Sequence, residues 1–398
     1  MTYQTLKRIK NVSLTEKKTV IVASLNWGLG HTTRCIPIIQ ALEAEGATVI
    51  LASDGGALDL LRREFPHLRA LELPAYNIRY PFRSMVLSIA VQGHKILRGG
   101  ILEYFWLKSF LKKEKIDAVI SDNRFGFFNR SVQSIFMTHQ VQILIPIRFL
   151  QPLVNAVNHF FIRRFDALWI PDNQGNKNLA SDLAHGFFVE KLSKKIKTHY
   201  LGILSRMTYF STEIKYRAII VLSGPEPQRT YLEEKIWRQL EKIILDDKET
   251  PEEKSGQAPQ YLNTFCLVRG VSDKDFKESQ MREHDQIEMH GVLTATDLNQ
   301  KIMESAAVIC RSGYSSLMDL VALQKRAILI PTPGQTEQEY LADALAQQNR
   351  FICQQQDVLN LANALSELPK TIGFTDFGKE DFGKNDTLQE VVRELLEF

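Results

Sequence analysis

The sequence predicts an α/β protein made of two doubly wound domains. Three observations carry this expectation. Short β-branched runs alternate with amphipathic stretches in both halves of the chain, as buried parallel strands alternate with covering helices. At 398 residues the chain is longer than one ordinary hydrophobic core encloses. Each half also has a small-residue loop that follows an apolar run and opens a helix.

In the first half, residues 1–18 read as a polar lead-in and 19–25 as a continuous apolar strand. Asn26-Trp27-Gly28-Leu29-Gly30-His31-Thr32-Thr33-Arg34 follows as a loop entering a helix. Ile36, Ile38, Ile39 and Leu42 recur there at helical spacing, and Gly46 ends it. Strands are expected at 48–52, 117–122, 135–139 and 167–171.

The boundary is expected between Gly202 and Tyr216, giving domains of 1–205 and 206–372. In the second half, strands are expected at 217–224, 264–269, 307–310 and 327–331, with helices near 229–245, 297–305, 315–323 and 336–348. Residues 246–260 are charged and carry Pro and Gly, which reads as a surface loop. Residues 373–398 read as a linker, with the repeat Asp376-Phe377-Gly378-Lys379 and Asp381-Phe382-Gly383-Lys384, and then a helix that packs back on the first domain.

Composition narrows the function. Hydrophobic residues make up 44% and charged residues 24%, the profile of a soluble globular protein. The formal charge of +3 is too small for a chain that coats nucleic acid. Met1 to Lys7 begins no long apolar stretch, so no signal peptide is expected, and no run of about 18 apolar residues suggests a membrane span. Cys35, Cys266, Cys310 and Cys353 lie in apolar segments and read as buried thiols, not as disulfides or a zinc site. The sequons at Asn11 and Asn129 carry no weight without secretion. A cytoplasmic protein is expected.

The chemistry concentrates at predicted strand ends. Gly28 and Gly30 permit tight turns and close approach of a ligand. His31 sits at a helix start, where the dipole disfavours imidazolium, so the ring is a candidate proton acceptor. The plain alternative is a capping or packing histidine against Trp27. In the second loop Arg311 is a candidate partner for a phosphate, and Gly313 lets the backbone approach it. Ser312, Ser315 and Ser316 offer hydroxyls and N–H groups, while Asp319, further along the helix, suits a ribose diol. The alternative is an ordinary capped helix.

Ser223, Gly224 and Arg229 are candidates for a diphosphate, and Gln338 and Glu339 for sugar hydroxyls. Asp122, Asn123 and Arg124 end a first-half strand and are candidates for an acceptor. His139 also ends a strand, where a structural histidine is an equal reading. Asp273-Lys274-Asp275 has an Asp-x-Asp form but no His or Cys support, so no metal site is expected. No Gly-x-Ser-x-Gly elbow or Walker loop is present. Residues 150–165 combine apolar residues with Arg163-Arg164. A helix packed on the first domain is the expected reading, with contact to an anionic membrane as the alternative.

These loops resemble a known family. Gly30-His31, then Arg311-Ser312-Gly313 with Asp319, then Pro331 with Gln338 are together similar to the GT-B glycosyltransferases, in particular the group of the bacterial cell-wall N-acetylglucosamine transferase, whose second half is the family 28 C-terminal domain. The resemblance implies two Rossmann-like domains facing a central cleft. The second domain would bind a UDP-sugar, an acidic residue would hold the ribose, and the first domain would take a glycan or lipid-linked acceptor. It implies inverting transfer of a sugar, an N-acetylhexosamine in that group, to a hydroxyl, with no cofactor or metal. Membrane contact through residues 150–165, the alternative named above, would place a cytoplasmic protein peripherally on the inner face of the membrane.

Three positions depart from the pattern. Asp319 is shorter than the usual Glu, Tyr314 replaces a small residue, and Glu339 replaces a Gln. Residues 28–35 are also similar to the UDP-sugar hydrolase of pseudaminic acid synthesis, in which the histidine activates water. The non-hydrolysing UDP-N-acetylglucosamine epimerases share the architecture. A nucleotide-sugar-binding protein without turnover is the expectation from a different class.

Overall fold

The computed structural model describes residues 17–76, 78, 91–175, 177–249, 264–271, 284–374 and 386–397. Asn11, residues 250–260, Asp273-Lys274-Asp275 and the Asp-Phe-Gly repeat lie outside the described residues.

The first domain contains β1 (Thr19–Ser24), α1 (Leu29–Ala44), β2 (Thr48–Ser53), α2 (Gly55–Glu64), β3 (Arg69–Glu72), α3 (Gly93–Phe110), β4 (Ala118–Asp122), β5 (Gln133–Met137), α4 (Gln151–Ile162), β6 (Ala167–Ile170), α5 (Phe187–Ser193) and β7 (Lys197–Tyr200). Its sheet has the order β3-β2-β1-β4-β5-β6-β7. The second domain contains β8 (Ala218–Val221), α6 (Gln228–Glu249), β9 (Phe265–Val268), β10 (Ile287–His290), α7 (Ala295–Met303), β11 (Val308–Cys310), α8 (Tyr314–Ala322), β12 (Ala327–Leu329), α9 (Thr336–Gln347), β13 (Ile352–Cys353) and α10 (Leu361–Glu367). Its sheet has the order β10-β9-β8-β11-β12-β13. Every recorded pairing in both sheets is parallel.

In each sheet the strand order reverses beside the first strand, between β1 and β4 and between β8 and β11. Such a switch point opens a crevice at the carboxyl ends of the strands, where open α/β sheets bind ligands. The Gly28–Gly30 loop leaves β1, and the Arg311–Gly313 loop leaves β11.

The strand cores explain the sheets. Val20 to Ala23, Ile219, Ile220 and Ile309 are fully buried, as strands covered on both faces require. Ile38, Ile39 and Leu42 of α1 are equally buried. Each such side chain contributes roughly 1.5–3 kcal/mol of burial. One continuous buried cluster runs from Val22 and Ile38 in the first domain to Tyr314 and Leu317 in the second. It also takes in Leu388, Val391 and Leu395 of the C-terminal helix α11 (Asp386–Leu396), which crosses back to α1. Arg393 pairs there with Glu45 at 2.9 Å, and Lys197 pairs with Glu394.

Some elements differ from expectation. Helix α6 runs to Glu249, so residues 246–249 continue a helix where the charge pattern suggested a loop. Strand β5 ends at Met137 rather than His139. β3, β7, β10 and β13 are short and, but for one position, incompletely buried, so no clear apolar run marks them.

Among the described residues no helix is long and apolar enough to cross a membrane. The first domain does expose apolar side chains. Phe149 is 82% exposed, Leu153 62% and Phe160 51%, and Val157 of α4 is exposed beside them. Arg164 lies over the Phe160 ring at 4.8 Å.

Candidate active site

The two loops meet. The Ser315 hydroxyl donates to the Gly30 carbonyl at 2.7 Å across 285 positions of chain. A side chain at position 30 would bring a Cβ within 2.9 Å of that hydroxyl oxygen, so glycine there allows α8 and α1 to approach. Gly28 holds the N-cap position of α1 at φ 107°, a conformation most side chains resist.

His31 lies in the first turn of α1 with its side chain 18% exposed. Its Nδ1 is 3.1 Å from Asp122 Oδ2. Asp122 ends β4 and is fully buried. Burial by itself pushes its carboxyl upward, but Arg34 and then His31 outweigh that and hold it below the usual range. The acceptor role expected for Asp122 is therefore corrected: the carboxylate is enclosed and orients His31.

Arg34 stands one turn after His31 and is also buried. Its Nε donates to both Asp122 oxygens, at 3.1 and 3.0 Å, and Nη1 donates to His139 Nδ1 at 2.7 Å. His139 Nε2 lies 2.7 Å from Glu337 Oε1 at the start of α9, and the second Glu337 oxygen accepts from Gln140. The His139 ring is parallel to Tyr314 with centroids 4.1 Å apart. Burial pushes His139 downward; Glu337 opposes this, while Arg34 adds to it. Burial would raise Glu337, but His139 holds it below the ordinary range. A continuous polar chain thus runs from Asp122 in the first domain to Glu337 in the second. Arg34 and Glu337 were not singled out in the sequence. The only signal was the helical spacing of Arg34 from His31.

Four other candidates are engaged by protein groups in this structure. Arg311 is 1% exposed and donates to the carbonyls of Ile330, Pro331 and Gln228 and to Gln356 Oε1. It ties strand-end loops together, while its buried Nε has no hydrogen-bond partner. Burial lowers it to about 10, which leaves it protonated at neutral pH. Arg229 is engaged by Glu226 and by Glu233 at 2.7 Å, so its charge is already matched. Arg124 is wholly buried; it donates to the Ser24 carbonyl at 2.8 Å and to Glu103 at 2.5 Å, and pairs with Asp54. It supports the floor of the first domain and does not reach an acceptor. Asp319 accepts from Ser205 at 2.6 Å in the joint between domains, and burial pushes it to about 6. Its partly exposed carboxylate is engaged there by Ser205.

The remaining candidates line the crevice or brace it. Ser312 donates to the Gln338 carbonyl at 2.8 Å, and Gln338 Oε1 accepts from the Thr332 amide at 2.9 Å. Glu339 accepts from the Gly334 amide at 2.8 Å. Gly313 packs near Gln338. Ser223 and Gly224 are exposed at the loop leaving β8, while Ser316 and Asn123 are half-buried. The Thr332 hydroxyl is buried with no partner and lies 3.7 Å from where a Cβ on Gly224 would stand. Among the described residues no group of three His, Cys, Asp or Glu is placed to hold a metal ion.

Comparison with known proteins bears on the fold and on the second domain. Residues 234–374 match the glycosyltransferase family 28 C-terminal domain. An 88-residue stretch is 31% identical to the UDP-N-acetylglucosamine–N-acetylmuramyl-(pentapeptide) pyrophosphoryl-undecaprenol N-acetylglucosamine transferase of Rhodopseudomonas palustris; the match spans 22% of this chain and only 24% of that relative. The whole fold is similar to Arabidopsis thaliana UGT89C1, with TM-score 0.59 and 15% identity over 96% of this chain and 100% of that one. It is also similar to Acinetobacter baumannii MurG, with TM-score 0.51 and 13% identity over 96% and 100%. At such identities the likeness is one of fold. The second half of the chain, over residues 234–374, is thus similar to the family 28 C-terminal domain, and the whole chain has the two-domain fold of these glycosyltransferase structures.

Proposed function

We propose that the chain transfers a sugar, with an N-acetylhexosamine as first candidate, from a UDP-sugar to an acceptor hydroxyl with inversion and without a metal. The observation that carries this reading is His31, oriented by buried Asp122, beside the point where the loops of the two domains meet. With Nδ1–H donating to Asp122, the Nε2 lone pair takes the acceptor's hydroxyl proton. The acceptor oxygen then bonds to the anomeric carbon as the bond to the diphosphate oxygen breaks, and UDP leaves with the electron pair.

Stabilisation of the leaving charge is assigned to backbone N–H groups at the strand-end loops and helix starts, since Arg229 is matched by Glu226 and Glu233 and the Arg311 Nη atoms are held by carbonyl groups. The unpartnered Thr332 hydroxyl beside exposed Gly224 supports a polar ligand group at that loop, because a buried hydroxyl without a partner is costly. The exposed apolar face around Phe149 and Phe160 supports a lipid-linked acceptor met at an anionic membrane surface.

The test is UDP release from a panel of UDP-sugars, with and without a lipid or glycan extract. Release that requires extract supports transfer. Release without any acceptor supports hydrolysis by the same His31. UDP binding with no product under either condition supports a binding protein without turnover.

A further inference from the structure

Among the described residues three arginines are at most 2% exposed: Arg34, Arg124 and Arg311. Two of them meet carboxylates. Arg34 pairs with Asp122, and Arg124 pairs with Asp54 and Glu103. Arg311 has no such partner. Its Nη1 donates to the Ile330 and Pro331 carbonyls, and its Nη2 donates to the Gln228 carbonyl and to Gln356 Oε1. All of these acceptors are neutral, and Nε has no partner at all. Burial acts on Arg311 with no carboxylate to oppose it, yet the guanidinium stays protonated at neutral pH. Its donors are largely used, but its charge is unmatched, whereas buried charges are ordinarily paired.

A second unpartnered group lies close by. Arg311 holds the carbonyl of Pro331, and the next residue, Thr332, is itself buried with an unpartnered hydroxyl. That hydroxyl oxygen is 3.7 Å from where a Cβ on Gly224 would stand, and no other heavy atom beyond the chain neighbours comes within 4 Å of that point. Gly224 is exposed and has φ 107°. Arg311 reaches the far end of the same loop at the Gln228 carbonyl, where α6 begins. The acid in this loop, Glu226, is turned to Arg229 and Thr230. The loop from Ser223 to Gln228 therefore has an unmatched positive charge at one end, a hydroxyl in need of a partner at the other, and the start of a long helix.

We infer that this loop seats a diphosphate, with Arg311 as its buried counter-charge and Thr332 as a hydroxyl that contacts it. The inference rests on the donor reading above, in which the diphosphate belongs to UDP. The Arg311 Nη atoms stay on their carbonyls. The charge acts from within the protein, where a low dielectric screens it little, and so favours an anion over a neutral group at the same loop. The Thr332 hydroxyl donates to a phosphate oxygen and gains there the partner that the fold does not supply.

The experiment uses the full-length chain, with calorimetry for UDP and for inorganic pyrophosphate and urea melts without ligand. Thr332→Val keeps the shape and removes the hydroxyl. Its urea midpoint is expected to equal or exceed that of the wild type, because the hydroxyl bonds nothing in the fold. Its affinities for UDP and pyrophosphate are both expected to fall about tenfold or more. Arg311→Gln removes the charge and should lose at least as much for both probes, while Arg311→Lys, which keeps the charge, should recover part of the loss. Should Arg311→Gln not fold, Thr332→Val and Arg311→Lys still carry the prediction.

UDP bound by Thr332→Val within about twofold of wild type overturns the inference and leaves the transfer reading standing. A loss for UDP with pyrophosphate unaffected also overturns it, since the loop would then read the nucleoside. So does a lowered urea midpoint in Thr332→Val, the mark of a hydroxyl that braces the fold. A wild type that binds neither probe overturns it as well. Pyrophosphate bound by the wild type and weakened in the variants, in a chain that binds no UDP, would support the diphosphate seat and count against the UDP-sugar reading alone.

Discussion

Replacing Asp319 with Asn should stabilise the protein at neutral pH, against the usual direction of polar substitutions. The Asp319 carboxyl accepts from Ser205 at 2.6 Å in the joint between domains, and burial raises it from 3.8 to about 6. A raised carboxyl favours the protonated form in the folded state. Its contribution is fully present below about pH 4, where both states are protonated. It is lost as pH rises to about 6, because the unfolded chain ionises first. A shift of about two units corresponds to roughly 3 kcal/mol, an upper value because the residue keeps some exposure. The asparagine oxygen can still accept from Ser205, while its amide hydrogens enter a site built for a carboxyl, at a cost of about 1 kcal/mol. Asp319→Asn should therefore be about 1 kcal/mol less stable at pH 4 and about 2 kcal/mol more stable at pH 7. Urea denaturation of both proteins at pH 4, 5, 6 and 7.5 checks this. A stability difference that does not change with pH would refute the reasoning. A large loss of UDP affinity in the same variant would return Asp319 to the ribose role.

Three further outcomes follow from the structure. Arg124→Met leaves Glu103 and Asp54 without their buried cation and should cost about 3–5 kcal/mol at pH 7 in denaturant melts; a cost under about 1 kcal/mol would contradict the buried triad. Phe149→Ser combined with Phe160→Ser should reduce flotation with anionic vesicles at least about tenfold, since each exposed ring offers roughly 1.5–3 kcal/mol of burial; equal flotation would remove this face from the account. Ser315→Ala removes the hydroxyl bonded to Gly30 and should lower turnover while leaving UDP affinity within about threefold; unchanged turnover would mean the loop contact is incidental.

The central strands were legible because they are buried on both faces, as in Thr19–Ser24 and Ala218–Val221. Ile352–Cys353 was not, since two half-buried residues leave no pattern. His31 stands out in sequence because two glycines and a strand end isolate it, whereas Ser315, expected at a nucleotide sugar, gives its hydroxyl to the Gly30 carbonyl. Arginines are alike in sequence whether they meet a ligand or a ring of carbonyls. Arg311 and Arg124 turn inward, where packing of distant segments supplies their partners, and Arg229 is matched by its near neighbours Glu226 and Glu233. Arg34 offered only its helical spacing from His31. Its partner His139 lies 105 positions away, and Glu337 lies 198 positions beyond that. Only the docking of two domains brings those charges together.

The central claim is that His31 is the base at the crevice between the domains. UDP release by wild type and His31→Ala, with UDP affinity measured alongside by calorimetry, tests it most directly. The account predicts a fall in kcat of about 10²–10⁴ with UDP affinity unchanged. Turnover at the wild-type rate in His31→Ala would contradict it.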